Sequence, residues 1–305
     1  MCGITGYIGK QKAASILING LKRLEYRGYD SAGVATCEKN KITWAKKTGR
    51  VVNVEKEVNR ISLEGNYGIG HTRWATHGDV TDQNTHPHVS ADEKFAMVHN
   101  GVIENYRSLK KFLITKGFEF VSETDSEVLV NLISFHYGEI KDKPLENNVQ
   151  DHFVESVRLA LLQLEGTYGI AVISSEFPEQ IIAARKGSPL IVGFGKGESF
   201  VASDVSAFAA RARDVIYLND GEIVSLTPDD FSITTAKLDA VSAVIQTVDW
   251  DIEESELGEY SHYMQKEIFE QPEALENSMR GRFSDDDSTA KLGGLDLTAQ
   301  EFQQI

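Results

Sequence analysis

Cysteine is scarce in this chain: 305 residues contain two, Cys2 and Cys37. That number spells no disulfide framework, and no Cys-x-x-Cys pair offers a metal site. Basic charge is also short, with 31 Lys and Arg against 46 Asp and Glu, a formal net charge of −15 and a pI near 5.0. This balance argues against nucleic acid or an anionic membrane as the main partner. Long hydrophobic runs are missing, since no stretch approaches the length that spans a bilayer. The N-terminus has no basic segment followed by an apolar core. A reducing cytoplasm is therefore the expected location, one in which a thiol stays reduced. No internal repeat or low-complexity tract interrupts the chain. The remaining composition, 41% hydrophobic and 25% charged, is that of an ordinary globular protein. It is long enough for one large domain or two smaller ones.

The chain opens Met1-Cys2-Gly3-Ile4-Thr5-Gly6-Tyr7-Ile8-Gly9. A cysteine directly after the initiator methionine follows a bond that aminopeptidases cut when the next side chain is small. The mature chain would then start at Cys2, with a thiol and a free α-amine on one residue. The amine has a pKa of about 7.7–8.0 and the thiol about 8.5, so near neutral pH part of the amine is an unprotonated base. A nucleophile activated by its own chain's amine is a recognised device. The plainer reading is that residue 2 happens to be Cys.

Hydrophobic spacing predicts a buried strand over 3–9, with Gly3 and Gly6 leaving room for close approach to Cys2. It predicts a helix from Lys12 to Leu24, strands at 33–37 and 42–46, and a weaker helical region at 51–66. Cys37 falls within a strand pattern, as a packed small hydrophobe. A strand from Phe95 to His99 should end at Asn100-Gly101. Helices follow at Asn105–Lys116, from Thr124-Asp125-Ser126-Glu127 with capping-box spacing, and at Asp151–Leu164. Residues 167–227 read as strands, including a hairpin around Asn219-Asp220-Gly221 that joins 215–218 to 222–226. Grouped helices flanked by strand runs predict an α+β sandwich rather than alternating βαβ units. Beyond about 240 the chain turns acidic, at 249–259 and 284–287, with a helical stretch from Tyr260 to Arg280. The expected domains are therefore 1–240, and 241–305 as a connector leading into a further domain.

Four places hold more polar chemistry than folding needs: Cys2, Arg73-Trp74-Ala75-Thr76-His77, Asn100-Gly101 and Thr124-Asp125. Each has an ordinary reading. Arg73 could be a surface arginine, Trp74 core, Asn100-Gly101 a turn, and Asp125 an acid favoured at a helix start. Together they describe an amide-hydrolysing site. A thiolate attacks a carboxamide carbon, and the oxyanion needs preorganised donors, which an Asn side chain beside a Gly N–H can supply. An Arg suits a substrate α-carboxylate and an Asp its α-ammonium. Glutamine carries that set of groups.

Four longer blocks carry a family resemblance: Arg23-Leu24-Glu25-Tyr26-Arg27-Gly28-Tyr29-Asp30-Ser31-Ala32-Gly33, His71 through Gly78, Val121 through Glu127, and His262-Tyr263-Met264-Gln265-Lys266-Glu267-Ile268. With the N-terminal Cys-Gly-Ile shared by N-terminal-nucleophile amidotransferases, the chain resembles the glutamine-hydrolysing half of the glucosamine-6-phosphate synthases. The resemblance implies a four-layer α/β/β/α sandwich of the N-terminal-nucleophile hydrolase type. It implies Cys2 as nucleophile, Asn100 and Gly101 as oxyanion hole, and Arg27 in the loop that closes on the nucleophile. Arg73, Thr76 and His77 would hold the substrate carboxylate and Asp125 its ammonium, with Trp74 as gate to an ammonia channel. His86 belongs to the family's loop facing the partner domain, or is a solvated loop histidine. No metal and no cofactor is called for. The family's second half binds fructose 6-phosphate in two isomerase domains, and its full-length enzymes are expected to be homodimers. A chain that stops at Ile305, near the start of that half, should release ammonia from glutamine without making the amino sugar.

The nearest rival is the glutaminase domain of another such enzyme, phosphoribosyl-pyrophosphate amidotransferase or asparagine synthetase. His71, His77, His86, His88 and His99 raise a metal site as another class, without the helical His pairs or Cys ligands that would support it. A non-catalytic interaction domain with an acidic tail is the third.

Overall fold

Period-two alternation builds the first layer. The computed structural model describes residues 2–75, 78–145, 149–239, 241, 243–248 and 260–280. In strand β1 (Gly3–Ile8), Ile4 and Ile8 point into one apolar cluster and Tyr7 into another. Helix α1 (Ala13–Leu24) covers the Tyr7 side. The hairpin β2 (Ser31–Glu38) and β3 (Lys41–Thr48), helix α2 (Val51–Ile61) and strand β4 (Tyr67–Arg73) follow. A short β5 (His88–Val89) leads into β6 (Phe95–Ile103). Three helices come next, α3 (Tyr106–Thr115), α4 (Asp125–Ile140) and α5 (His152–Leu161). A run of strands closes this part: β7 (Gly166–Ser174), β8 (Ile181–Lys186), β9 (Ile191–Gly195), β10 (Glu198–Ala202), β11 (Asp214–Tyr217), β12 (Glu222–Leu226), β13 (Phe231–Thr235) and β14 (Gln246–Thr247).

Among the described residues these strands form two sheets, β14-β11-β9-β10-β1-β4-β2-β3 and β13-β12-β8-β7-β6-β5. Their facing side chains, Ile4, Ile69 and Val201 from one and Val98, Ile173 and Val224 from the other, make a single apolar layer between them. α1 and α2 pack on the outer face of the first sheet, and α3, α4 and α5 on that of the second. The architecture is the four-layer α/β/β/α sandwich: each sheet is apolar on both faces, α1 and α2 cover one outer face, and α4, buried on nearly all sides, lies with α3 and α5 on the other.

Three local expectations change. Residues 215–218 and 222–226 are not a hairpin. β11 pairs with β9 in the first sheet, whereas β12 pairs with β8 and β13 in the second. The Asn219-Asp220-Gly221 turn, with Gly221 at φ +85°, carries the chain from one layer to the other. A tight turn reverses direction within a sheet or between sheets, and only packing decides which. β6 does not stop at His99, since its pairing with β7 runs on to Ile103 opposite Gly166. Gly3 leaves room for its core neighbours rather than for approach to Cys2: a Cβ there would sit 2.7 Å from Thr72 Oγ1 and 2.8 Å from Leu24 Cβ.

By its contacts the chain divides into two units, Met1–Trp250 and Asp251–Ile305. The edge strand β14, beyond residue 240, belongs to the first. In the second, the described residues hold helix α6 (Tyr263–Met279), with the Tyr260 ring stacked 5.7 Å from that of Phe269. The expectations for Met1, Thr76, His77, the acidic run 249–259 and residues 281–305 lie outside the described residues.

Candidate active site

Strand alternation also aims the polar side chains. Tyr67 and Ile69 of β4 face the layer between the sheets, so His71 and Arg73 share that face at the strand's end. Ala96 and Val98 of β6 do the same, which puts Asn100 in phase. β1 pairs with β4 as Gly3 with Thr72 and Ile4 with His71. One step further along that register sets Cys2 across from Arg73. The two sheets thus present Cys2, His71, Arg73 and Asn100 together at one end of the sandwich.

The thiol is held by backbone. Trp74 N–H donates to Cys2 Sγ at 3.2 Å, and Cys2 Sγ donates to Trp74 O at 3.4 Å. Asp30 fixes the segment that does this: its carboxylate accepts from Ala75 N–H at 3.0 Å, and its own N–H donates to Arg73 O at 3.0 Å. Asn100 Nδ2 donates to the Cys2 carbonyl at 3.3 Å. Gly101, the next residue, sits at φ +134°, and a Cβ there would lie 2.2 Å from Thr167 O. Only glycine lets β6 run this close to β7 in that conformation.

Asp125 opens α4, whose Thr124 cap accepts from Glu127 N–H. Its carboxylate accepts from Ile103 N–H at 2.8 Å and from Ser126 Oγ at 3.5 Å, which ties the helix start to the end of β6. Ser126 Oγ also lies 2.9 Å from His99 Nδ1. Arg73 is buried and donates to the carbonyls of Asp79 and Gly78 at 3.2 and 3.3 Å. Arg27, in a short 3-10 turn after α1, donates to Asp204 at 3.0 Å.

These groups surround one cavity of about 260 Å³, lined by Cys2, Arg27, Arg73, Trp74, Asn100, Gly101 and Asp125 with His86, His99, Ser126 and Ser203 among others. Cys2, the donors beside it, a buried guanidinium and a carboxylate therefore share one space. The volume suits a small amino acid rather than a large cofactor. Burial pushes the Cys2 thiol up from its usual range, against the Trp74 hydrogen bond and the charge of Arg73. The thiol is thus protonated near neutral pH, and attack requires a base. Cys37 is fully buried in β2, and burial raises its thiol as well.

Two expected residues sit differently from their ordinary readings. Arg73 is a core arginine, 4% exposed, and Trp74 is a surface aromatic, 48% exposed, with its ring edge-to-face 6.0 Å from Tyr29. His86 is not a solvated loop histidine. It is 6% exposed and lies against His71, with ring centroids 4.2 Å apart. The cavity also uses Ser126, His99 and Ser203, and Asp30 supports it from outside. Of these, His99 and Ser126 were legible as flanks of Asn100 and Asp125. Ser203 arrives only through β10 pairing, which no local signal announces. Among the described residues, no group of three or more His, Cys, Asp and Glu is placed to hold a metal ion. None of their helices is long and apolar enough to cross a membrane.

Comparison with known proteins places the chain among glutamine-using enzymes by similarity. The glutamine amidotransferase domain family matches residues 57–143, which include Arg73, Asn100, Gly101 and Asp125. A glutamine–fructose-6-phosphate aminotransferase (isomerizing) of Clostridium perfringens is 46% identical over 306 aligned residues, covering all of this chain. The chain carries a glutamine amidotransferase domain. A second aminotransferase of that name, from Pyrococcus horikoshii, is 45% identical over 294 residues and covers 96% of this chain. The chain spans about half the length of these relatives, 48% and 47% respectively. A solved glutamine phosphoribosylpyrophosphate amidotransferase from B. subtilis superposes with a TM-score of 0.64. The match covers 78% of this chain and 50% of that one at 24% identity, a likeness that speaks for the fold.

Proposed function

We propose that residues 1–240 hydrolyse glutamine to glutamate and ammonia, with Cys2 as the nucleophile once Met1 has been removed. The observation that carries this reading is the shared cavity: a backbone-held thiol, an Asn carboxamide at its side, and Arg73 and Asp125 as anchors of opposite sign. The Cys2 α-amine takes the thiol proton as sulfur bonds to the carboxamide carbon. Asn100 Nδ2–H and the Gly101 N–H then stabilise the oxyanion. Collapse breaks the C–N bond, the amine returns its proton to the departing nitrogen, and ammonia leaves behind a thioester. Water attacks that thioester, giving glutamate and restoring the thiol. Arg73, joined by Thr76 and His77, pairs with the substrate carboxylate, and Asp125 with its ammonium. Arg27 belongs to the loop that closes on the nucleophile, and Trp74, exposed at the cavity mouth, gates the exit of ammonia.

The stretch expected from 241 to 305 as connector and start of a sugar-isomerase half is, in this reading, residues 251–305, since β14 still belongs to the first unit. In the whole protein that half would receive the ammonia and use fructose 6-phosphate, the sugar that its relatives' names carry. A cytoplasmic homodimer is the form we expect of the full-length enzyme. The test is a glutaminase assay on the chain beginning at Cys2, with Cys2→Ala as the comparison. Equal turnover by both chains would refute the assignment.

A further inference from the structure

The carboxamide of Asn100 poses a problem that the reaction must solve. Its two ends are nearly the same size, but only the NH2 end stabilises an oxyanion, and a flipped group would present oxygen to oxygen. A side-chain amide takes its orientation from its hydrogen-bond partners. The Cys2 carbonyl, 3.3 Å from Nδ2, can only accept and so calls for the NH2 end. Asn100 Oδ1 lies 2.9 Å from His71 Nε2, a closer contact. For that contact to be a hydrogen bond, the His71 proton must be on Nε2.

The requirement passes to a second ring. His71 Nδ1 is 3.1 Å from His86 Nδ1. A neutral His71 protonated on Nε2 offers a lone pair at Nδ1, so His86 must carry its proton on Nδ1. Both rings are buried, and that burial keeps them neutral: it holds His71 at about 3 and His86 well below its ordinary value. The segment bearing His86 is pinned from outside the cavity, where Lys46 Nζ donates to Thr85 O at 2.9 Å, Gln83 O at 3.2 Å and Pro87 O at 3.4 Å.

We infer that His71 and His86 are positioning residues, a pair of neutral imidazoles whose tautomers lock the Asn100 carboxamide with its N–H toward the oxyanion. The chain of bonds runs His86 Nδ1–H to His71 Nδ1, His71 Nε2–H to Asn100 Oδ1, and Asn100 Nδ2–H to the cavity. His71 is not part of the cavity lining, and His86, which is, acts in this chain of bonds through His71. The inference rests on the glutaminase reading, in which Asn100 is an oxyanion donor.

A double-mutant cycle tests it in the full chain beginning at Cys2. His71→Leu removes the donor, and kcat should fall between about 10- and 10³-fold, up to the loss for a whole oxyanion donor. The KM for glutamine should stay within about threefold, because ground-state binding is untouched. His71→Gln places an N–H where Nε2 was and should return kcat to within about tenfold of wild type. In an Asn100→Ala background, His71→Leu should cost nothing more, since the group it positions is gone. A merely structural histidine would lower activity in both backgrounds alike. That additive result, or a shift confined to KM, would overturn the relay. Should His71→Leu fail to fold, 15N NMR of the wild-type imidazoles decides: Nε2–H on His71 and Nδ1–H on His86 support the lock, and the opposite tautomer on either ring overturns it. Inactive wild-type chain, or Asn100→Ala as active as wild type, would instead remove the glutaminase reading itself.

Discussion

Gly101→Ala is the substitution whose cost the structure fixes most closely. The residue sits at φ +134°, a region that side chains avoid, and strain of this kind costs about 1–3 kcal/mol. The added Cβ would lie 2.2 Å from Thr167 O and 2.7 Å from Thr167 C. Both are backbone atoms of β7, so no rotamer change relieves the clash. Overpacking of a tight interior costs about another 1–3 kcal/mol. The sum, about 2–6 kcal/mol, is a large part of the roughly 5–15 kcal/mol that stabilises an ordinary domain. Where β6 moves to make room, the Gly101 N–H leaves its place, and kcat should drop about 10²–10³-fold. Gly138→Ala is the control. A Cβ there meets nothing within 4 Å, and its place inside α4 should make alanine stabilising by about 0.5–1 kcal/mol. Urea denaturation followed by circular dichroism reads the stability of both variants, and a coupled glutamate assay reads turnover. Gly101→Ala with a wild-type midpoint and wild-type kcat would refute the reasoning.

Other perturbations follow from the same geometry. Asp125→Asn keeps the hydrogen bond from Ile103 N–H but removes the charge, so the KM for glutamine should rise at least about tenfold, as for a lost charged contact, with a near-normal melting curve. Thr124→Ala removes the cap that accepts from Glu127 N–H and should cost about 0.5–2 kcal/mol in chemical denaturation. Cys37→Ala should leave glutaminase activity intact, because that thiol lies in the core between the sheets; a large loss of kcat would show that the second cysteine takes part. Burial lowers Lys46 from 10.5 to about 8. Between those values the unfolded chain binds more protons than the folded one, so this group makes stability rise with pH from about 8 to 10.5. Subtracting the pH–stability curve of Lys46→Met from that of wild type should isolate the rise, and a flat difference would contradict it.

Much of this site was legible because chemistry and periodicity agreed. Tyr67, Ile69, His71 and Arg73 alternate in one strand, and the apolar pair foretells where the polar pair points. The Thr124-to-Glu127 spacing likewise placed Asp125 at a helix start. Illegible were the features that depend on which strands become neighbours. Asn219-Asp220-Gly221 promised a hairpin and delivered a passage between sheets, because a turn's sequence encodes its bend and not the layer its strands join. Asn100-Gly101 looked like the end of a strand, although Gly101 is what lets β6 continue past β7. For His86 the sequence left a partner-facing loop or a solvated loop histidine open, and neither shows the ring it touches, 15 positions away. Arg73 and Trp74 exchanged their ordinary expectations, the charge buried for chemistry and the indole left at the mouth.

The central claim is that Cys2 is the nucleophile and its own amine the base. The direct measurement is intact mass before and after exposure to a glutamine-analogue electrophile, with glutaminase activity followed in parallel. A chain beginning at Cys2 should gain one adduct, on Cys2 and not on Cys37, and lose activity in step. The same chain retaining Met1 should be inactive from the start, its amine displaced by one residue. Full turnover with Met1 in place, or undiminished turnover after complete labelling of Cys2, would contradict the account.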